Sequence, residues 1–527
     1  MKELREIKFE ELTTRQKLGM VFAPSMHRYN NNWADDDEFL LDLIRNRSLG
    51  AIWIQQKVNN FQEQIKRVKE AADYPILILT DAENGVGDFV IGRHNAIGTT
   101  GSEKHAYAFG KTVGVNARKW GYNVVCDPVV DMSAGSMRSL GVDKEKVTSL
   151  AASIIKGMHD GGVLSIAKHY PGGKHRNEID SHMAESLSND TAEELIEYGL
   201  YPYLELNKMG LLDGVMTKHQ RFINIDDKYP SSLSKTVIDL FRDRGYEGFA
   251  ITDALCMMGV RAKFGDVESK GLAINAGNDL LLPYTSNNKE QFEMLCEAYD
   301  KGYISDEALD KAVKRVLAAQ HKVTLLKTDA ELTDEEIATF HSINKDGVYT
   351  ELDEGVSVTI PRDAKNFFVI VAKQETDTLP GGKVDVDTFS TNTWLQPGRI
   401  VKKINELFPN SNYQVIHEFP TQNEMMTVLS NSLGCDNLVF MTFSESLAYV
   451  GKEYLTHRIV NLINAMQVTN RISTLIHVGN PLVLEELAHV PRVIFGGLSA
   501  DSIDTTLEVL AGEYTANGKP TYKVNLK

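Results

Sequence analysis

Residues 163–182 read VLSIAKHYPGGKHRNEIDSH, and the pattern in this stretch decides the fold. A short apolar run, VLSIA at 163–167, ends on a basic pair, Lys168 and His169. A Pro-Gly-Gly turn then stops the strand and launches a long polar loop. Working outward, the same apolar form recurs as AIWI at 51–54, ILIL at 76–79 and NVV at 123–125. It returns as GVM at 214–216, FAI at 249–251 and LLL at 280–282. Roughly 25 to 50 residues separate the runs, enough for one amphipathic helix each. This βαβα rhythm predicts an α/β fold with a parallel sheet. Seven or eight units within about 325 residues favour a TIM-type (β/α)8 barrel over an open sheet. Helix starts are marked by candidate capping pairs, Thr13 with Gln16 and Asp190 with Glu193.

The residues that follow the runs carry the chemistry. Asp81 follows ILILT, Asp127 and Asp131 follow NVV, and Lys168 and His169 follow VLSIA. His219 sits just past GVMT, and Asp253 follows AIT. In a TIM barrel the strand C-termini form the catalytic face, so these groups are expected to converge from five strands.

A second region is expected beyond the barrel. The division predicted is a catalytic barrel over 1–326, a helical linker over 327–360 and a smaller α/β sandwich over 361–527. Thr333 and Glu336 mark one more capped helix in the linker. FFVIVA at 367–372, QVI at 414–416, LVFMT at 438–442, TLIHV at 474–478 and VIF at 493–495 then supply a mostly parallel sheet.

Composition narrows the function. The net charge of −16 opposes a nucleic-acid binder, which needs a basic footprint, and is equally poor for anionic membranes. Cys126, Cys256, Cys296 and Cys435 lie far apart without a CxxC pair, which reads as buried thiols in a reducing compartment. The opening MKELREIKFEELTTRQKLG has no apolar core of a signal peptide, and no run is long enough to span a bilayer. A cytoplasmic enzyme with a small neutral substrate and no cofactor is the expectation.

Two constellations stand out, each with a plain structural reading beside it. In the polar loop, Asp180 is two residues from His182, close enough to accept an imidazole N–H and fix its tautomer. The same loop also reads as solvated chain with adventitious histidines. His169, His175, His182 and Asp180 are zinc-ligand types, but they lack the short regular spacing that makes metal motifs specific. In FAITDALCMMGV at 249–260, Asp253 stands where a strand ends, at the expected barrel mouth. It suits attack on an anomeric carbon and also suits the N-cap of a following helix, and both roles can hold at once.

The motif at 168–182 resembles the KHFPGHG…DSH signature of bacterial β-N-acetylglucosaminidases in glycoside hydrolase family 3. TDAENG (80–85) is similar to the family's VDQEGG, DPVVD (127–131) to APVLD, and MRSLG (137–141) to NRAFG. VMTKH (215–219) resembles MMPAH, and YPSSLS (229–234) resembles PASLS. GYEGFAITDAL (245–255) is similar to GFKGIVTDAL, and INAGNDLLL (274–282) to AGADMLL. The likeness runs in register over about residues 12–325. HVGNPLVLEEL (477–487) resembles the C-terminal sandwich of many family 3 enzymes.

The resemblance implies a retaining β-N-acetylhexosaminidase. Asp253 would form a covalent glycosyl-enzyme, and His182, held by Asp180, would serve as acid/base. Asp81, Arg138, Lys168 and His169, with His219 as a further candidate, would bind the sugar in the −1 subsite. The expected partner is a small GlcNAc-containing oligosaccharide, such as a cell-wall recycling fragment. Retaining glycosidases usually pair two carboxylates, so a His–Asp dyad replaces one of them here. Imidazole titrates near 6.5 when unperturbed, which suits the task.

Departures from the pattern leave other readings open. The loop is one residue longer, with Gly173 and Lys174 where His-Gly is typical, so His175 rivals His182. Asn84 stands in place of the first Gly of EGG, and the Arg that usually follows is absent. A β-glucosidase of the same family and a β-N-acetylglucosaminide phosphorylase remain alternatives. So do an inactive sugar-binding protein and a phosphosugar-binding barrel that uses Lys168 and Lys174.

Overall fold

A computed structural model describes residues 4–26, 34–56, 60–176, 181–285, 287–372, 378–379, 383–384, 397–444 and 454–524. The chain divides into two compact units. The first comprises residues 1–90, 102–133 and 142–340; the second comprises 91–101, 134–141 and 341–527.

The first unit is built on six parallel strands: β1 (Ala51–Trp53), β2 (Leu77–Asp81), β3 (Val124–Cys126), β4 (Leu164–Tyr170), β5 (Gly214–Thr217) and β6 (Phe249–Thr252). They lie side by side in chain order, as right-handed βαβ crossovers produce. The strands are short, apolar and buried, so their side chains on one face merge into a core of Trp53, Leu79, Val124, Ile166, Met216 and Ile251. Two further extended segments flank the sheet. Leu280 bridges Ile251 of β6, Leu281 bridges Phe22, and Ser25 bridges Trp53 of β1. Ala23 N–H donates to Leu281 O at 2.9 Å, and Met26 N–H to Trp53 O at 2.8 Å. Sequence periodicity found the segment near 280 and missed 21–25, where Pro24 interrupts a short run.

Local signals set several helix starts. Thr13 and Gln16 form a reciprocal capping box at the helix Thr14–Met20, and Thr333 and Glu336 exchange the same pair of bonds. The expected Asp190–Glu193 cap is displaced by one residue. Thr191 caps the helix and Glu194 closes the box, while Asp190 N–H is still bonded to Ser188 Oγ at 3.1 Å. A Thr hydroxyl at that position satisfies an N-terminal amide worth about 1 kcal/mol.

The second unit contains a six-stranded sheet: β7 (Tyr349–Leu352), β8 (Asn366–Ala372), β9 (Asn412–His417), β10 (Asn437–Phe443), β11 (Thr474–Val478) and β12 (Arg492–Gly496). Their order is β7-β12-β11-β10-β8-β9, and only β7 runs antiparallel to its neighbour. Both faces are covered, which is why FFVIVA is apolar throughout. Phe367, Val369 and Val371 pack with Ile459 and Ile463 of the helix His457–Gln467. Phe368 and Ile370 pack with Ile400 of Pro397–Leu407 and with Ile503 and Leu507 of Ala500–Ala511. No helix among the described residues is long and apolar enough to cross a membrane.

At the N-terminal end of β6 the first unit buries a charge. The fully buried Asp279 carboxylate accepts from Arg242 at 2.7 Å and from Ala250 N–H at 2.7 Å, with Arg315 at 3.4 Å. Breaking such a group leaves a buried guanidinium uncompensated. We expect Asp279→Ala to lower the unfolding free energy by about 3–5 kcal/mol. Urea denaturation monitored by circular dichroism checks this, and a loss below about 1 kcal/mol would show that the pairing is dispensable.

Candidate active site

The C-terminal ends of β2, β4, β5 and β6 gather the polar groups that the apolar strand bodies exclude. β5 and β6 pair in plain register, Thr217 opposite Thr252, which sets Lys218 and His219 beside Asp253 and Ala254. Between β4 and β5 the register slips: Met216 pairs with Lys168 and Thr217 with Tyr170, so His169 is the extra residue of a bulge. Bulges re-aim side chains next to functional sites. The turn predicted after this strand is present, with Gly172 N–H donating to His169 O at 2.9 Å and Gly172 at φ +74°, a region that suits glycine.

The Lys168 ammonium is almost wholly buried and reaches two carboxylates, Asp81 Oδ1 at 2.6 Å and Glu83 Oε1 at 2.6 Å. A desolvated cation requires such partners. Lys168 is 2% exposed, whereas Asp81 is 39% exposed, so Asp81 is the member of the group that faces the mouth. Gln56 ties the Asp81 turn down, donating from Nε2 to Asp81 O at 2.6 Å and to Gly85 O at 2.9 Å.

His169 is held by Asp131. One oxygen, Oδ2, accepts both the His169 backbone N–H at 3.0 Å and the ring Nδ1–H at 2.6 Å. The segment before Asp131 runs along β4, with Lys168 N–H donating to Pro128 O and Val130 N–H to Lys168 O. Lys218 lies 3.7 Å from the other Asp131 oxygen.

Asp253 is anchored through its own main chain. Its N–H donates to Thr217 O at 2.9 Å, and its Oδ1 accepts the Ala254 N–H at 2.7 Å. Burial pushes the carboxyl up, but His169, His219, the Ala254 N–H and His182 outweigh that penalty, and its pKa lies below the ordinary aspartate value. Asp253 does not itself cap an adjoining helix: the short helix Met258–Arg261 begins after Met257.

Ser181 and His182 are seated on that helix start. Gly259 N–H donates to Ser181 O at 3.0 Å and Met258 N–H to His182 O at 3.4 Å. A Cβ at Gly259 would come within 3.1 Å of Ser181 O and 3.4 Å of His219 Cβ, so glycine permits this close approach. The His182 ring bears electrostatically on both Asp253 and His219.

His219 is fully buried, its Nδ1 2.7 Å from Ser232 Oγ and its Nε2 3.0 Å from Ala254 O. Burial pushes its pKa below the usual histidine value, so the ring is neutral near pH 7.

The structure therefore brings together Asp81, Lys168, His169, His182, His219 and Asp253. Asp180 lies outside the described residues. His175 falls in the short strand Lys174–Arg176, whose side chains lie outside them too. Arg138 belongs to the second unit, where its N–H donates to Ser136 Oγ at 3.3 Å. Among the described residues no three His, Cys, Asp or Glu side chains cluster as a metal site. Sequence reasoning placed Asp131 on the expected catalytic face without giving it a role, and did not select Glu83, Lys218 or Ser232 for the site. Glu83 and Asp131 lie inside TDAENG and DPVVD, and the signal available was that a buried Lys168 and an oriented His169 each need a carboxylate.

The family description "Glycosyl hydrolase family 3 N terminal domain" matches residues 13–319. A β-hexosaminidase of Tolumonas auensis is 30% identical over 260 residues, covering 46% of this chain and 77% of its own. A β-N-acetylglucosaminidase/β-glucosidase of Cellulomonas fimi is 25% identical over 343 residues, 60% of this chain, and the match spans 58% of that relative's length. A solved family 3 β-N-acetylglucosaminidase from Paenibacillus sp. str. FPU-7 shares the fold, with a TM-score of 0.77 at 24% identity, over 96% of this chain and 98% of that one. The matched residues make up more than half of the 527, and the chain belongs to glycosyl hydrolase family 3, a family of glycoside hydrolases.

Proposed function

We propose that this chain is a retaining β-N-acetylhexosaminidase that releases terminal, non-reducing, β-linked N-acetylglucosamine. The observation that carries the reading is the state of Asp253. It is a carboxylate held at a strand end by its own main chain and by the Ala254 N–H, and its pKa lies below the ordinary aspartate value despite burial. Relatives named β-hexosaminidase, such as those of Tolumonas auensis and Haemophilus influenzae, support the substrate class. The six strands and the two bridging segments at 21–25 and 280–282 are read as the eight staves of a (β/α)8 barrel. The second unit is read as the sandwich domain that follows it.

In this mechanism Asp253 attacks the anomeric carbon and the glycosidic bond to the leaving oxygen breaks, forming a glycosyl-enzyme ester. His182, with Asp180 as its partner, delivers a proton to that oxygen. The neutral imidazole then takes a proton from water, whose oxygen displaces Asp253 and restores the carboxylate. Asp81, steadied by Lys168, accepts from sugar hydroxyls at the mouth, and His169, fixed by Asp131, lines the same subsite. Solvent is the nucleophile in the second step; phosphate in its place would yield the sugar 1-phosphate.

A β-glucosidase reading is kept alive by the double name of the Cellulomonas relative. Parallel kinetics on the 4-nitrophenyl N-acetyl-β-glucosaminide and β-glucoside decide it. We expect kcat/KM to favour the N-acetylglucosaminide, and Asp253→Asn to cut its turnover by about 10⁴-fold or more. A faster glucoside would overturn the substrate class, and near-normal activity in the variant would overturn the nucleophile. Phosphate-dependent release of sugar 1-phosphate would assign the phosphorylase reaction.

For His182→Ala, turnover of unactivated disaccharides should fall by about 10²–10⁴-fold, with a smaller loss on aryl glycosides whose leaving groups need no proton. Equal losses on both, or a larger loss from His175→Ala, would move the acid/base role elsewhere.

The pH profile tests the histidine cage. Asp253 is active when ionised, so activity is present above its depressed pKa and lost as pH falls through it. His169 is the strongest of the groups that lower that pKa, so His169→Gln should shift the acid limb of kcat/KM to higher pH. An unmoved acid limb would show that the limb does not report Asp253.

A further inference from the structure

His219 has both ring nitrogens engaged by the protein, and the directions of those bonds can be assigned. Ala254 O is a carbonyl and accepts, so Nε2 carries the hydrogen. In the neutral ring Nδ1 is then an acceptor, and Ser232 Oγ–H donates to it at 2.7 Å. Ser232 is itself placed by buried bonds. Its N–H donates to Lys218 O at 3.1 Å, and its carbonyl accepts from Asn278 Nδ2 at 2.8 Å. Asn278 Oδ1 in turn accepts from Thr217 Oγ1 at 2.8 Å. Thr217, His219, Ser232 and Asn278 are all fully buried.

This chain of bonds ends on one peptide group, that between Ala254 and Leu255. Its carbonyl is held by His219, and its N–H donates to Leu282 O at 2.9 Å. The preceding peptide carries the Ala254 N–H that Asp253 Oδ1 accepts, and Asp253 N–H is fixed on Thr217 O. Thr217 O, Leu282 O and the Met257 N–H, which also donates to Ala254 O at 3.0 Å, hold this turn from the backbone; besides the Asp253 carboxylate itself, the His219 ring is the side chain that does so.

We infer that His219 is a positioning residue: keyed by Ser232, it clamps the Ala254 carbonyl and thereby sets the orientation of the Asp253 carboxylate. The inference rests on the reading of Asp253 as nucleophile. It gives His219 a task distinct from a substrate-contacting wall, because neither ring nitrogen is left to meet a sugar hydroxyl. A misplaced nucleophile slows the chemical step without weakening substrate binding, so the effect belongs in kcat rather than KM.

The test compares His219→Gln, His219→Asn, Ser232→Ala and Asp253→Asn on the 4-nitrophenyl N-acetyl-β-glucosaminide. A Gln amide reaches the Nε2 position and can donate to Ala254 O, whereas an Asn amide reaches only the Nδ1 position. We expect His219→Asn to lower kcat on the order of 10²-fold with KM within about threefold. His219→Gln should recover most of that loss. Ser232→Ala, which keeps the ring and its volume but removes the hydroxyl that donates to Nδ1, should lower kcat by about tenfold at unchanged KM. Circular dichroism and thermal unfolding report whether each variant folds. Should His219→Asn fail to fold, Ser232→Ala decides the matter, and wild-type kcat there overturns the inference. A raised KM at wild-type kcat in His219→Asn also overturns it, in favour of a substrate contact, as do equal losses for Gln and Asn. Asp253→Asn separates the two levels: activity retained there removes the nucleophile reading itself, whereas an inert Asp253→Asn beside an unaffected Ser232→Ala removes only the role of His219.

Discussion

A charge that enters a densely packed parallel sheet has to be paired where a strand ends, and this constraint organises the first unit. Strand bodies covered on both faces have no water to offer, so an unpaired ion there costs several kcal/mol. At the N-terminal ends of the strands the constraint is met by closed groups. Asp279 is enclosed by Arg242, Arg315 and the Ala250 N–H, and Asp213 by His159, Lys322 and the Ser165 N–H. At the C-terminal ends it is met by groups that remain partly open. Lys168 is sealed, while its partner Asp81 faces outward. Parallel sheets of this class commonly divide their labour this way, with stability at one end and chemistry at the other.

The open end owes its geometry to backbone more than to side chains. Register between β5 and β6 sets His219 beside Asp253, and a single extra residue at His169 changes the register between β4 and β5. Asp131 then holds His169 by both its main chain and its ring, so the position of the imidazole follows from the bulged strand. The result is a carboxylate, Asp253, whose burial alone would favour the neutral acid but whose neighbours favour the anion. Placement and ionisation are thus set by the same few residues.

Much of this was legible beforehand because the signals are local. Apolar runs of buried strands, the Pro-Gly-Gly turn, the Thr13 and Thr333 caps and the polar residue after each run are all read within a few positions of the chain. Where the signal was weak, the reading slipped. Asp190 and Thr191 are both good caps, and the choice between them fell to the hydrogen bond that keeps Asp190 N–H on Ser188. The segment at 21–25 carries Pro24 and only single bridges, so it lacks a strand's periodicity. β7 was missed because YTEL, half-buried at a sheet edge, reads as polar.

The amino-acid sequence by itself determined which residues stand at strand ends and that Asp253, Lys168 and His169 are among them, because a strand's apolar body and polar end are written consecutively. It could not determine partners, since Lys168 meets Asp81 and Glu83 across 87 and 85 positions, and His169 meets Asp131 across 38. Nor could it show that residues 91–101 and 134–141 belong to the second unit. Only the tertiary structure decided that His219 turns both nitrogens to the protein, from Ser232 on one side to Ala254 on the other. The physical reason is that a hydrogen bond depends on distance and direction in space, and those depend on the register of neighbouring strands rather than on spacing along the chain.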